Sequence, residues 1–347
     1  MSPPILWPDA GRHEAFETWL AALTPAHGLR PQTLELASAD ASFRRYFRLQ
    51  ANTGSLVVMD APPPQEDVRP FVKVAGLIEA TGLNAPRVLA CDAERGFLLL
   101  TDLGQTLYLD ALRDDGEAER LMREALRALA HWQARLPPEA LPPYDEALLR
   151  RELALFPEWC VQREFGLHWD AKQQAVWDRT CTLLVDSALA QPVVAVHRDW
   201  MPRNLMVADP NPGILDFQDA VRGPVTYDVA SMLRDAFISW DEAREIDWAV
   251  RYWEQAKRAG VPLGEVLGHD FGEFWRALEW MGLQRHLKVL GIFCRLKHRD
   301  GKARYAEDLP RFFGYATRVA HRYAPLRALI GLLEPMSGPL VGHGLTF

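Results

Sequence analysis

The chain has 347 residues, 48% of them hydrophobic and 24% charged, an ordinary balance for a globular protein long enough to form two domains. Its 39 basic and 46 acidic residues leave a net charge of -7, which argues against tracking a nucleic-acid backbone. Four scattered cysteines without a CxxC spacing argue against a zinc site and suit the reducing cytoplasm; no run nears the ~20 apolar residues of a membrane span, and MSPPILWPDAGRHEAF lacks the pattern of a secretory signal.

Phe16, Trp19, Leu20 and Leu23 recur at helical spacing and predict a helix over 12–23. From 34 to 60 the pattern is strand-like. LELASADASFRRYFRL has two strand-like ends around a polar middle, where Ser38, Asp40 and Ser42 favour a turn. SLVVMD, Ser55 to Asp60, reads as a buried strand ended by Ala61-Pro-Pro-Pro. Phe71, Val74, Leu77 and Ile78 predict a helix over 66–81, stopped by Gly82. Arg87 to Asp92 and Phe97 to Thr101 predict a strand pair. After Thr101-Asp-Leu-Gly the periodicity is helical, over 117–135 and 171–189. It is helical again from Tyr227 through DVASMLRDAFISW and IDWAVRYWEQAKRAG, and over 271–299 and 309–333. No internal repeat stands out. The expected fold is α+β and bilobal: a sheet lobe with a leading helix, 1–101, and a larger, mainly helical lobe, 102–347.

One segment interrupts the helices. VVAVHRDWMPRNLMVADPNPGILDFQD sets polar residues at the ends of short apolar runs. Leu205 to Val207 and Gly213 to Leu215 read as a strand pair, which would bring Asn204 beside Asp216. Amide and carboxylate oxygens suit a hard Mg²⁺ ion, which would hold phosphate oxygens. Asp199, outside that pair, is placed to orient and deprotonate an acceptor hydroxyl. A single Asp near a turn is more often a cap or an ion-pair partner. The ordered set His-x-Asp-x₄-Asn-x₁₁-Asp is far more specific. His197 reads as a packing residue that fixes the loop.

HRDWMPRNL and ILDFQD resemble the catalytic loop and metal segment of the aminoglycoside phosphotransferase/choline kinase group, which has a protein-kinase-like fold. The resemblance implies that Asp199 is the catalytic base, that Asn204 and Asp216 bind magnesium, and that Asp228 of the Tyr227-Asp228 pair supports the loop. DASFRRYFRL, VVMDAPP, LLLTDLG, ILDFQDAVRGPVTYDVASMLRD and HLKVLGIFCRLKHRDGKARY resemble the anomeric N-acetylmuramate/N-acetylglucosamine kinases. These bacterial cell-wall recycling enzymes phosphorylate the C1 hydroxyl with ATP. The resemblance therefore implies the partners, an amino sugar and Mg·ATP, without nucleic acid or membrane. An aminoglycoside, choline or homoserine kinase is the nearest alternative, and a pseudokinase-like nucleotide-binding protein a more distant one.

The nucleotide side departs from the kinase pattern. No GxGxxG is present, so the turn Asp40-Ala-Ser-Phe-Arg-Arg would cover the phosphates, with Ser42 and backbone N–H groups as a cradle. Arg44, Arg45 or Arg48 would add charge. Alternation sends Tyr46 and Arg48 to one face and Arg45 and Phe47 to the other. The kinase segment VAIK corresponds to Val57-Val-Met-Asp60, so the phosphate-binding lysine is missing. An arginine of 44–48 or Lys73 compensates, or Asp60 points away, and Glu79 is a candidate partner acid. A hinge over Leu99 to Leu103, including Thr101 and Leu103, would meet the purine edge, with Val58 and Leu205 as apolar walls. On the sugar side, Arg295, His298 and Arg299 gather near a helix end. Cations there either complement the helix dipole or meet the lactyl carboxylate of N-acetylmuramate.

Overall fold

The computed structural model describes residues 5, 7, 9–39 and 43–337. Its first helix, α1 (Ala10–His27), opens where the Asp9 carboxylate accepts from the Arg12 N–H at 2.7 Å. It closes at Gly28, whose φ of 62° is left-handed and whose missing Cβ makes room for Asn52. Strands β1 (Arg30–Ala39), β2 (Arg45–Ala51) and β3 (Gly54–Asp60) follow. Helix α2 (Arg69–Thr81) comes next and ends at Gly82, with φ 78°. Strands β4 (Val88–Asp92) and β5 (Phe97–Thr101) complete an antiparallel sheet of order β1-β2-β3-β5-β4. Phe47, Val58 and Leu99 lie opposite one another on neighbouring strands and share one face. With Leu49, Leu56 and Phe97 they pack into one core with Phe16, Trp19 and Leu20 of α1. Tyr46, Met59 and Leu98, and Arg48, Val57 and Leu100, take the other face.

The short α3 (Tyr108–Ala111) is followed by α4 (Asp115–Arg135), α5 (Glu146–Leu153), a π-helix at Phe156–Glu164, and α6 (Ala171–Leu189). Four short strands come next: β6 (Val193–Val196), β7 (Leu205–Met206), β8 (Gly213–Ile214) and β9 (Val221–Pro224). β6 pairs with β9 and β7 with β8, both antiparallel. The remainder is helical: α7 (Tyr227–Leu233), α8 (Glu242–Ala259), α9 (Gly264–His269), α10 (Phe271–Asp300), α11 (Leu309–Arg322) and α12 (Ile330–Ser337).

Two compact units result. One is Met1–Tyr108 with Asn204–Asp219, the other Leu109–Arg203 with Ala220–Phe347. The β7–β8 hairpin thus belongs with the sheet, where Ile214 N donates to Asn84 O at 2.8 Å and Val207 N to Thr106 O at 2.9 Å. A single cut after Thr101 leaves this return of the chain out. In the helical unit the 30-residue α10 is buried over most of its length. Gly291 lets it lie against the π-helix: a Cβ there would stand 2.4 Å from the backbone carbon of Leu155.

Two expectations fail locally, and one helical stretch is unexpected. The helix from Tyr227 stops at Leu233, because Arg234 leaves helical geometry (φ -124°, ψ 66°) and its buried guanidinium pairs with Glu245 and Glu279. The helix over 309–333 breaks at Tyr323, ahead of Pro325, which cannot continue it, and resumes as a 3-10 turn and α12. Nothing in the sequence reading anticipates the helical stretch from Glu146 to Glu164. Among the described residues no helix is long and apolar enough to cross a membrane.

Candidate active site

In the helical unit, β6 delivers the chain to His197. The Asp228 carboxylate, from the first turn of α7, accepts from the His197 N–H at 2.7 Å and the Arg198 N–H at 3.0 Å. These bonds clamp both sides of a strained link, for Arg198 is left-handed at φ 77°. Burial pushes the Asp228 carboxyl up to about 7; the two N–H donors oppose that shift, Asp199 adds to it, and Arg285 reduces it. The His197 ring is fully buried, with Trp132 and Trp200 each 5.5 Å away, and its Nδ1 accepts from the Asp199 N–H at 3.3 Å. Asp199 itself is partly exposed at the end of this clamp.

Arg198 turns its guanidinium onto the buried carboxylate of Glu152 on α5. Lys288 of α10 reaches the same carboxylate at 2.9 Å and the Tyr227 hydroxyl at 3.0 Å. The Tyr144 hydroxyl donates to it as well. Burial alone would raise the Glu152 carboxyl, but Lys288 and Arg198 outweigh it and hold it down at about 2. Burial likewise works against the Lys288 charge, and Tyr227 and Glu152 restore it. The loop bearing Asp199 is therefore tied to α7 through the Asp228 carboxylate, to α5 through the Arg198–Glu152 ion pair, and through Glu152 to Lys288 of α10. Sequence reasoning missed Glu152, Tyr144 and Lys288. The available signal was Glu152 flanked by Leu149, Leu153 and Phe156, a carboxylate on an apolar helical face.

In the sheet unit, Leu215 N donates to Asn204 O at 2.9 Å across the hairpin, which brings the Asn204 amide to the Asp216 carboxylate at 3.4 Å. Asp216 is exposed and left-handed at φ 60°. The Gln218 amide donates to its other oxygen at 2.8 Å and so orients this carboxylate. Phe217 between them is fully buried against Phe71 of α2, ring centres 4.6 Å apart. The Asn204 amide and the Asp216 carboxylate each carry an oxygen of the type a hard divalent cation takes.

The candidate nucleotide residues scatter. Ser42 lies outside the described residues. Arg44 pairs with Glu66 at 2.8 Å. Arg45 pairs with the fully buried Asp60, which Arg12 of α1 also holds; Asp60 thus points to the α1 face. Arg48 grips Asp102 at 2.6 and 3.0 Å and Gly104 O at 2.7 Å. Val58 needs correction as a purine wall. It is fully buried in the core under α1, because strand parity puts it beside Phe47 and Leu99, so Val57 and Met59 hold the opposite face. Leu205 is fully buried in β7. Thr101 uses its hydroxyl to accept from Arg87 N at 2.9 Å. Thr101 and Leu103 line a cavity of about 430 Å³, shared with Glu79, Asn84, Arg87 and Asp209.

On α10 the three sugar candidates part ways. His298 and Lys297 both engage Glu164 of the π-helix at 2.6 Å. Arg299 folds onto Asp300 at 2.7 Å. Arg295 has no ion pair among the described residues, and its Nε is buried without a hydrogen-bond partner. Burial and the nearby Arg299 charge lower its pKa.

Comparison with known proteins fits this geometry. The model of the phosphotransferase enzyme family matches residues 33–282. The chain is 54% identical over 335 residues to an N-acetylmuramate/N-acetylglucosamine kinase of Pseudomonas aeruginosa, covering 94% of this chain and 98% of that one. A protein of the same name from Pseudomonas putida is 55% identical over 305 residues, 88% of each chain. Among solved structures, a putative aminoglycoside phosphotransferase from Ralstonia eutropha superposes with a TM-score of 0.60 at 15% identity, over 88% of this chain and 95% of that one. That likeness shows an α+β, protein-kinase-like fold. The chain belongs to the phosphotransferase enzyme family, and within it to the family of the N-acetylmuramate/N-acetylglucosamine kinases.

Proposed function

We propose that the protein transfers the terminal phosphoryl group of ATP to the anomeric C1 hydroxyl of N-acetylmuramate and N-acetylglucosamine, in the recycling of cell-wall sugars in the cytoplasm. The names of the relatives support the two sugars. Four free cysteines suit the reducing compartment. The observation that carries the chemistry is a division between two acids. Asp216 is bound to Asn204 and Gln218, whereas Asp199 stands on a separate loop clamped by Asp228.

In this reading the C1 oxygen attacks the terminal phosphorus, the bond from that phosphorus to the bridging oxygen breaks, and ADP leaves. The proton of the C1 hydroxyl passes to the Asp199 carboxylate. C1 carries the most acidic hydroxyl of the sugar, which a plain carboxylate can deprotonate as the new bond forms. Asn204 and Asp216 would hold Mg²⁺; one carboxylate and one amide leave the remaining positions to phosphate oxygens and water. When bound, the ion neutralises charge on the phosphates. Both sugars share C1 and the N-acetyl group, so one pocket serves either.

NMR of the products tests the assignment. Phosphorus coupled to C1 is expected for both sugars. A C6 phosphate, or phosphorylation of an aminoglycoside and neither sugar, would overturn it.

A further inference from the structure

The missing lysine of β3 leaves a question of charge: what receives the phosphates of the nucleotide? The three arginines around β2 answer it by elimination and by position. Arg45 lies on the α1 face with Phe47, where its guanidinium stacks 4.5 Å from the Trp7 ring and pairs with buried Asp60. Arg48 is committed to Asp102 and Gly104 at the hinge. Arg44 precedes β2 by one residue, so alternation places it with Tyr46 on the face away from α1. There Asp216 acts electrostatically on both Arg44 and Tyr46.

Arg44 is also held. Its Nε donates to Glu66 at 2.8 Å, and Glu66 is fixed in turn by a backbone bond from its N–H to Pro62 O at 3.1 Å. Both side chains are mostly buried, 16% and 11% exposed, so water screens the pair little. A guanidinium has five donors in a rigid fork, enough to serve an orienting acid and a phosphate together. Glu79, the acid suggested by the helix, lines the hinge cavity instead, and Lys73 is exposed on α2.

We propose that Arg44, oriented by Glu66, receives the β- and γ-phosphates of the nucleotide in place of the missing strand lysine. The inference rests on ATP being the donor, and it moves the lysine–glutamate pair of protein kinases to a new place. The cation comes from the start of β2 instead of the end of β3, and the acid from the loop before α2 instead of the helix. The carboxylate at Asp60 is then no repulsive defect, because Arg12 and Arg45 hold it on the opposite face of the sheet.

The test separates phosphate recognition from folding. Affinity for Mg·ATP is measured by calorimetry, and for adenosine by its competition with a fluorescent ATP analogue. Arg44→Ala is expected to weaken Mg·ATP about tenfold or more, the size of a lost charged hydrogen bond, and to leave adenosine unchanged. Arg44→Lys keeps the charge without the fork and retains part of the affinity. Glu66→Gln weakens Mg·ATP less than Arg44→Ala does, in the same direction. Arg12→Ala also breaks an ion pair of the sheet, so it lowers the melting temperature while leaving the ratio of the two affinities at the wild-type value. An unchanged ratio in Arg44→Ala, or in both Arg44→Lys and Glu66→Gln should the alanine variant not fold, overturns the proposal. Wild-type protein that binds no Mg·ATP would remove the donor itself, a failure of the proposed function that is distinguishable from a failure of Arg44.

Discussion

At the scale of single residues, the two acids have different surroundings and should respond differently to substitution. Asp199 hangs from a loop fixed by Asp228 and His197, so its loss removes the proposed proton acceptor without disturbing the sheet unit. Asp199→Asn is expected to keep nucleotide affinity and to lower turnover by roughly 10²–10⁴-fold, the usual contribution of a positioned base. Nearly normal turnover would show that the base lies elsewhere. Asp216 is exposed and flanked by the amides of Asn204 and Gln218. Asp216→Ala should weaken Mg·ATP binding as well as turnover, since it removes the only carboxylate of the proposed metal pair. Asn204→Ala should do the same less severely, because a neutral amide brings less charge to a cation than a carboxylate does. Titration of the nucleotide at several Mg²⁺ concentrations checks both, and equal affinity for wild type and Asp216→Ala would remove this residue from the metal site.

Between elements, the buried carboxylate of Glu152 is the knot that ties α5 and α10 to the loop bearing Asp199. Its carboxyl sits at about 2 against an ordinary 4.5, so it stabilises the fold fully above about pH 4.5 and loses that contribution as pH falls towards 2. Glu152→Gln leaves Arg198 and Lys288 buried beside a neutral group, an expected cost of about 3–5 kcal/mol near neutral pH. Its stability should also fall less steeply than wild type between pH 4.5 and 2, which denaturant titration at each pH would show. Parallel curves for the two proteins would mean that the acid is not held low by its cations. This knot was not legible in the sequence, because Glu152, Arg198 and Lys288 are far apart in the chain and only packing brings them together. What was legible is local. Val193–Val196, the Asn204–Asp216 hairpin, Ala171–Leu189 and Phe271–Asp300 follow from apolar period and turn residues that neighbours do not override. Val58 shows the limit: alternation divides β3 into two faces, but only pairing with Phe47 and Leu99 and contact with α1 says which face is which. The end of α7 shows another, since Arg234 leaves the helix for carboxylates supplied by α8 and α10.

Over the whole molecule, the net charge of -7 would repel an anionic sugar, so an enzyme accepting N-acetylmuramate needs a local cation to offset it. α10 carries most of the candidates, and the structure ranks them. Lys297 and His298 share Glu164, and Arg299 is neutralised by its neighbour Asp300. Arg295 alone among the three sugar candidates keeps a charge without an ion pair among the described residues, with its Nε buried and unbonded. A guanidinium so placed is poorly solvated, and a carboxylate arriving beside it would gain a charged hydrogen bond. The lactyl carboxylate of N-acetylmuramate is that group, and N-acetylglucosamine lacks it. Arg295→Ala should therefore lower kcat/KM for N-acetylmuramate roughly 10-fold to 100-fold more than for N-acetylglucosamine, the range of a charged hydrogen bond. His298→Ala should discriminate less, because its contact is already satisfied within the protein. Steady-state kinetics with the two sugars decides the matter: if Arg295→Ala slows both equally, the arginine supports the fold of α10 and the lactyl group is read elsewhere, whereas a loss confined to N-acetylmuramate makes Arg295 the residue that tells the two sugars apart.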